Sequence, residues 1–205
     1  PTYTLMARIA MLLPIGPIAF RVNLLSAASA AAAVGLIYAS ALTLSVPGRV
    51  RWLPAGAAAL TLAFAPLIWS QATISEVYAP ALLAASLSLL LVLRWRSGGS
   101  DVHLWASVLV FGLGQGIHPT LTFATLPTLV LLWPQRRRWL RRRVLLPCIA
   151  SFIAGLAVFA YLPLAAAHQP PINWGDPQSW ERFWWVVLSK PYQSLVLGLP
   201  ASETA

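Results

Sequence analysis

Long runs without a charged residue dominate the chain, and they exceed both the alternation of a strand and the one-sided stripe of a surface helix. About 20 apolar residues cross a hydrocarbon core roughly 30 Å thick. The run Val22–Gly48 predicts one span, from about Val22 to Leu44, closed by Val46-Pro47-Gly48. Its Ala, Ser and Gly residues from Ser26 to Gly35 are the small side chains that let helices approach closely in lipid. Trp52–Ser75 and Val77–Leu93 predict two more spans, with only Glu76 between them. Val102–Gln135 is too long for one straight span, and Gly112-Leu-Gly-Gln-Gly-Ile-His-Pro119 predicts a break between two. Val144–Ala165 predicts another, whereas Tyr3–Leu13 is short and reads as an interfacial helix or the tail of a truncated element. The expected fold class is all-α: a polytopic transmembrane bundle of about six spans. Residues 1–165 form its core, and 166–205 form an outer loop with a short amphipathic helix at Trp180–Leu188.

Composition agrees. Hydrophobic residues are 59% of the 205 and charged residues 9%, against about 25% charged in a soluble domain. Soluble, disordered and disulfide-scaffold classes are excluded, and a lone Cys148 in an apolar run reads as a buried structural thiol. The net charge of +9 suggests a nucleic-acid binder until the arginines are placed. Ten of the 14 basic residues sit in three loops: Arg49 with Arg51, Arg94 with Arg96, and the Arg136–Arg143 tract. The positive-inside rule makes those loops cytoplasmic, and anionic lipid is the expected partner of the tract rather than nucleic acid. Glu76, Asp176, Glu181 and Glu203 then fall on the opposite side. Trp52, Trp69, Trp95, Trp105, Trp133 and Trp139 flank span ends as an aromatic belt. Because the chain begins at Pro1 and ends in a polar tail, it is expected to be a piece of a longer protein.

Three polar clusters remain, all on the outer side. Trp69–Tyr78 carries Glu76, either a functional carboxylate or a charge at a helix N-terminus. Gly112–Thr120 carries His118, which at a helix break donates either to a phosphate or to a neighbouring carbonyl; one histidine without clustered partners gives no metal site. Tyr161–Pro177 ends in Asn173-Trp174-Gly175-Asp176, where a ring face beside an acceptor suits a sugar and the bland alternative for Asp176 is a turn residue or helix cap. These features alone allow a transporter, a lipid-handling enzyme or a scaffold.

The strings WSQATISEVYAP (Trp69–Pro80), GLGQGIHPT (Gly112–Thr120), YLPLAAAHQPPINWGDP (Tyr161–Pro177) and FRVNLLS (Phe20–Ser26) together resemble one family. It comprises bacterial multi-pass proteins, once classed as a domain of unknown function, related to the eukaryotic transmembrane protein O-mannosyltransferase. The resemblance runs from about Pro1 to Tyr192. It implies a GT-C glycosyltransferase in the bacterial cytoplasmic membrane, passing a sugar from a polyprenyl-phosphate donor to an extracytoplasmic protein or glycan. No cofactor is expected, the lipid-linked sugar being the donor, and no metal. The family's acidic first outer loop is expected upstream of Pro1, so the chain alone is expected to be inactive. On the matching positions, Arg21 and His118 would face the donor phosphate, Asn173 and Trp174 the sugar or acceptor, and Tyr78 the cleft wall. Asp176 and Glu76 would be the carboxylates available for catalysis. The alternative for Arg21 is snorkelling to headgroups, and the alternative for the whole is a non-enzymatic membrane subunit or transporter binding a lipid or solute.

Overall fold

The computed structural model is helical, with no strand among the residues it describes, 1–45, 48 and 50–197. The expected stop at Val46-Pro47 lies outside those residues, as do Arg49 and Glu203. The helices are α1 (Thr2–Ala10), α2 (Ile18–Leu44), α3 (Trp52–Ala63), α4 (Pro66–Ala72), α5 (Tyr78–Arg96) and α6 (Asp101–Gln115), then α7 (Thr125–Leu132), α8 (Arg136–Trp139), α9 (Arg142–Leu156), α10 (Tyr161–Ala167), α11 (Trp180–Val187) and α12 (Lys190–Leu197). They form two compact units, Thr2–Leu156 and Ala157–Ala205.

Among the described residues, three helical stretches are long and apolar enough to cross a membrane: Ile18–Leu44, Tyr78–Arg96 and Arg142–Ala167. The pair α3–α4, bent by 62°, makes at most a fourth. The expected six spans are therefore too many, and proline accounts for the difference. Pro66 opens α4 and holds Ala65 in an extended conformation (ψ 126°), so the apolar run from Trp52 turns rather than continuing. Pro119 does the same to His118 (φ −153°, ψ 132°), which places the break in Val102–Gln135 where its glycines predict it. What flanks that break is short. The 15-residue α6 is roughly 22 Å long and the eight-residue α7 is shorter still, so neither spans alone.

The first unit is held by small residues. Ser26, Ser29, Ala30 and Ala33 of α2 are buried, and α2 and α5 form its most extensive pairing. Between α5 and α6, Ser88 Oγ donates to the Ser107 carbonyl (2.8 Å) while Ser107 Oγ donates to that of Ser88 (3.0 Å). A methyl group on either Gly112 or Gly155 would meet the other's Cα (3.1 and 2.8 Å), so α6 and α9 cross backbone to backbone. Leu126, Val130, Leu146, Ile149 and Ile153 lie exposed on the outside, as expected where the surrounding solvent is lipid.

One larger apolar core, Val92, Trp95, Leu104, Leu132 and Val144, with Cys148 packed against it, joins α5, α6, α7 and α9. It corrects one expectation: Trp52, Trp69 and Trp133 are exposed at helix ends, but Trp95 is fully buried and belongs to the core. Its indole N–H donates to Asp101 Oδ1 (2.9 Å), and Arg138 joins them, pairing with Asp101 (2.8 Å) and stacking on the Trp95 ring at 4.6 Å. The Trp95 N–H, with the Arg138 guanidinium beside it, holds the Asp101 carboxyl below the usual carboxylate range. Stability from a lowered carboxyl pKa is complete above the unfolded value, about 3.9, and is lost as pH falls through the folded one. Asp101→Leu is expected to cost about 1–3 kcal/mol by leaving the buried indole N–H unpaired. Asp101→Asn should cost less and flatten the acid limb of a plot of unfolding temperature against pH below about 4 in detergent.

Candidate functional site

The roughly 28 Å of α5 separates two kinds of chemistry. Trp95, Arg96 and the arginine tract gather at its C-terminal end, where Gln135 donates to the Arg96 carbonyl (2.9 Å) and Arg138 to that of Gly99 (2.7 Å). Three of the polar signature segments, those around Asn23, Glu76 and His118, gather at its N-terminal end.

Tyr78 begins α5, and its ring lies 5.3 Å from that of His118, tilted by 40°. The extended backbone forced by Pro119 turns the His118 ring back over its own chain. There Nδ1 accepts from the Thr120 backbone N–H (3.2 Å) and bonds the Thr120 hydroxyl (2.7 Å). A backbone N–H can only donate, so neutral His118 carries its proton on Nε2. Thr120, not singled out from sequence, is therefore the residue that sets the imidazole tautomer.

The loop before α5 is tied to the start of α2 by a hydrogen bond from Ser75 Oγ to Asn23 Oδ1. Glu76 follows, exposed, two residues ahead of α5, with Val77 rather than Glu76 at the cap position. Tyr3 of α1 is the second residue missed by sequence reasoning. Burial raises its phenol pKa, and the nearby Glu76 charge raises it further. Helix α1 is anchored here by Thr2, whose N–H and hydroxyl donate to the carbonyls of Gly116 (3.0 Å) and Leu113 (2.6 Å) at the end of α6.

Arg21 sits close by in sequence to this group but is already engaged. Its Nε donates to the Ile15 carbonyl (2.7 Å), Nη1 to Met11 (2.7 Å) and Nη2 to Gly16 (2.9 Å). It clamps the α1–α2 turn, where Gly16 is left-handed at φ +52°. A phosphate at Arg21 would share the guanidinium with those carbonyls.

Tyr78 and Thr120 also line a cavity of about 590 Å³. Gln71 is its third polar wall residue, with a buried Oε1 that has no hydrogen-bond partner among the described residues, and Ala30, Leu82 and Leu121 are among the apolar remainder. An amphipathic molecule suits such a space, its tail against alanine and leucine and its head toward Tyr78. Among the described residues no three of His, Cys, Asp and Glu come together to hold a metal ion.

The Asn173–Asp176 cluster lies in the second unit and is built separately. Asp176 is left-handed (φ +40°), and its Oδ1 accepts from Asn173 Nδ2 (2.8 Å) and Gln178 Nε2 (2.9 Å). It is a turn residue; the cap of α11 is Ser179, whose Oγ accepts from the Arg182 N–H (3.2 Å). Gly175 (φ +71°) is enforced by packing as well, since a methyl group there would lie 2.5 Å from Val186 Cγ2. Trp174, half-exposed, stacks on Tyr192 (6.1 Å) and tilts against Trp185 (5.5 Å). The result is an aromatic face beside a carboxylate whose Oδ2 has no hydrogen-bond partner among the described residues.

Residues 1–142 match the family model described as the Protein O-mannosyl-transferase TMEM260 N-terminal domain. The chain is 27% identical over 184 residues to the mouse (Mus musculus) Protein O-mannosyl-transferase TMEM260, covering 86% of this chain and 26% of that protein. It thus spans about a quarter of the length of the curated relative it matches. No solved structure matches it. With a match over more than half its length, this helical membrane chain belongs to the family of the protein O-mannosyl-transferase TMEM260 N-terminal domain.

Proposed function

We propose that the chain is the core of a membrane glycosyltransferase that moves a sugar from a polyprenyl-phosphate donor to a hydroxyl of an extracytoplasmic protein or glycan. The observation that carries this reading is the meeting of three separate sequence segments, around Asn23, Glu76–Tyr78 and His118–Thr120, at one end of α5 beside a largely apolar cavity. In the proposed reaction the acceptor oxygen bonds to the anomeric carbon as the carbon–oxygen bond to the lipid phosphate breaks. The bonding pair leaves with the phosphate, and the acceptor proton passes to a carboxylate. Glu76 and Asp176 are the carboxylates proposed for this step, and Glu76 lies two residues before Tyr78, which lines the cavity. His118 Nε2–H and Arg21 would offset the charge developing on the phosphate. Tyr78 would line the donor path, and Asn173 and Trp174 would hold the sugar or acceptor. The arginine-rich loops are assigned to the cytoplasmic side.

The test is sugar transfer in membranes carrying the complete gene product, supplied with radiolabelled polyprenyl-phosphate mannose and other polyprenyl-phosphate sugars. Transfer to endogenous acceptors is the expected result. Glu76→Gln should lower it by about 10²-fold if Glu76 takes the proton, whereas unchanged transfer would remove that role. The apolar cavity lining also fits a non-enzymatic lipid-binding subunit. Retention of polyprenyl phosphate by the complete protein without any transfer would favour that second reading.

A further inference from the structure

Helix α11 presents two aromatic faces, and the proposed reaction uses neither side of it directly. Its inner face is occupied, with Trp185 and Val186 closing on Gly175 and Trp174. Its other face carries Trp180, Phe183, Trp184 and Val187, spaced i, i+3, i+4, i+7, with Leu188 beyond. Trp180 is 75% exposed, and Trp184 and Leu188 are exposed as well. Their rings build a continuous ledge: Trp180 stacks on Phe183 at 6.1 Å and meets Trp184 edge-on at 5.3 Å, and Phe183 meets Trp184 edge-on at 5.2 Å. Glu181, Arg182 and, just beyond the helix, Lys190 are exposed polar neighbours.

A tether fixes where this ledge can lie. Gln178, two residues before Trp180, donates from Nε2 to the Ala166 carbonyl at 3.4 Å. Ala166 is in the last turn of α10, where the apolar stretch Arg142–Ala167 ends. A stretch of 26 residues is roughly 39 Å long as a helix, more than the roughly 30 Å core it crosses, so its end reaches headgroup depth. The first turn of α11 is held within a side chain's length of that level. Indole rings partition to this zone because an apolar ring and a hydrogen-bonding N–H are both satisfied there.

We infer that α11 lies in the lipid–water interface with the Trp180–Phe183–Trp184 ledge inserted among the lipid headgroups and upper acyl chains. The occupant of this face is the bilayer itself. The membrane already surrounds the span to which α11 is tied, and Arg182 and Lys190 complement anionic headgroups. Since Gly175 and Trp174 are clamped to the opposite face, α11 also sets the depth of the Asn173–Asp176 turn.

The experiment places spin labels, one at a time, through Trp180→Cys, Glu181→Cys, Arg182→Cys, Phe183→Cys and Trp184→Cys. The background is Cys148→Ala, which removes the chain's one cysteine, and the protein is reconstituted in phosphatidylethanolamine–phosphatidylglycerol vesicles. Labels at 180, 183 and 184 should collide several-fold more with dissolved oxygen, relative to a water-soluble nickel chelate, than labels at 181 and 182. Equal access of the chelate to all five positions overturns the proposal by placing the helix in water. Shielding of 180, 183 and 184 from both reagents overturns it by showing a protein partner on the ledge. Because cysteine at a ledge position removes an aromatic contact, a conservative variant gives an independent reading. The Trp180→Phe, Trp184→Phe protein keeps eight of the ten tryptophans and should lose part of its tryptophan quenching by lipids brominated near the headgroup end of the acyl chain; unchanged quenching contradicts the insertion.

Discussion

Replacing His118 with alanine is expected to lower sugar transfer by the complete protein about 10²–10³-fold, the usual loss when one donor to a developing oxyanion is removed. The fold should survive, because the extended backbone at this position is imposed by Pro119 and not by the imidazole. Unfolding temperatures of the variant and the parent in detergent should therefore agree. The tautomer makes the test sharper. Thr120 occupies Nδ1 through its backbone N–H and its hydroxyl, so any donation to a phosphate comes from Nε2. Glutamine places its amide N–H near the position of Nε2, and asparagine places it near Nδ1. His118→Gln should accordingly keep more transfer than His118→Asn. Thr120→Val removes only the hydroxyl and leaves the backbone donor, so about tenfold is expected there. Full activity in His118→Ala would remove His118 from the chemistry and leave it as the neighbour of Tyr78.

The second large effect is structural. Gly155→Ala adds one methyl group, yet that carbon would lie 2.7 Å from the Leu109 carbonyl oxygen and 2.8 Å from both Gly112 Cα and Leu113 N. All three are backbone atoms, so no side chain can swing aside. Helices α6 and α9 must separate, and overpacking of this kind costs about 1–3 kcal/mol. Gly112→Ala meets the Phe152 carbonyl oxygen at 2.8 Å and should behave alike. The two changes force the same separation, so the double variant should lose less than the sum. Gly35 provides the contrast, because nothing lies within 4 Å of its added methyl group. There alanine should be neutral or stabilising by up to about 1 kcal/mol through helix propensity. Thermal unfolding of the three single variants in one detergent decides the matter; a Gly155→Ala protein as stable as Gly35→Ala would mean that α6 and α9 do not cross here. Because α6 ends at the break that carries His118, the separation should also reduce transfer.

The signals legible in the sequence were the ones with a local cause. Charge-free length found the helices of Ile18–Leu44, Tyr78–Arg96 and Arg142–Ala167, and X-Pro chemistry found the break at His118-Pro119. Amphipathic spacing found α11. The number of spans was overstated because hydropathy measures how long a run is apolar and not whether it stays straight. Ala65-Pro66 bends one run by 62°, and the glycine–proline break divides another into pieces too short to cross. Trp95 was misplaced for a related reason: a tryptophan at a span end suits a lipid interface until Asp101 and Arg138 supply partners for its N–H and its ring.

The site divides along the same line. Glu76, Tyr78 and His118 stand out in sequence as polar groups in turns between apolar runs, where a polar residue is costly without a purpose. Tyr3 and Thr120 do not, since one sits in a short unassigned segment and the other in an ordinary turn. What the sequence determined by itself is the medium and the helical class, because burying about 20 apolar residues in lipid is a property of a local stretch; the family rests on the match of residues 1–142. What only the tertiary structure decided is which turns meet. The Tyr78–His118 contact and the Ser75–Asn23 bond depend on how closely α2, α5 and α6 approach. That approach is set by serines, alanines and glycines whose packing partners are remote in the chain, so no local pattern encodes it.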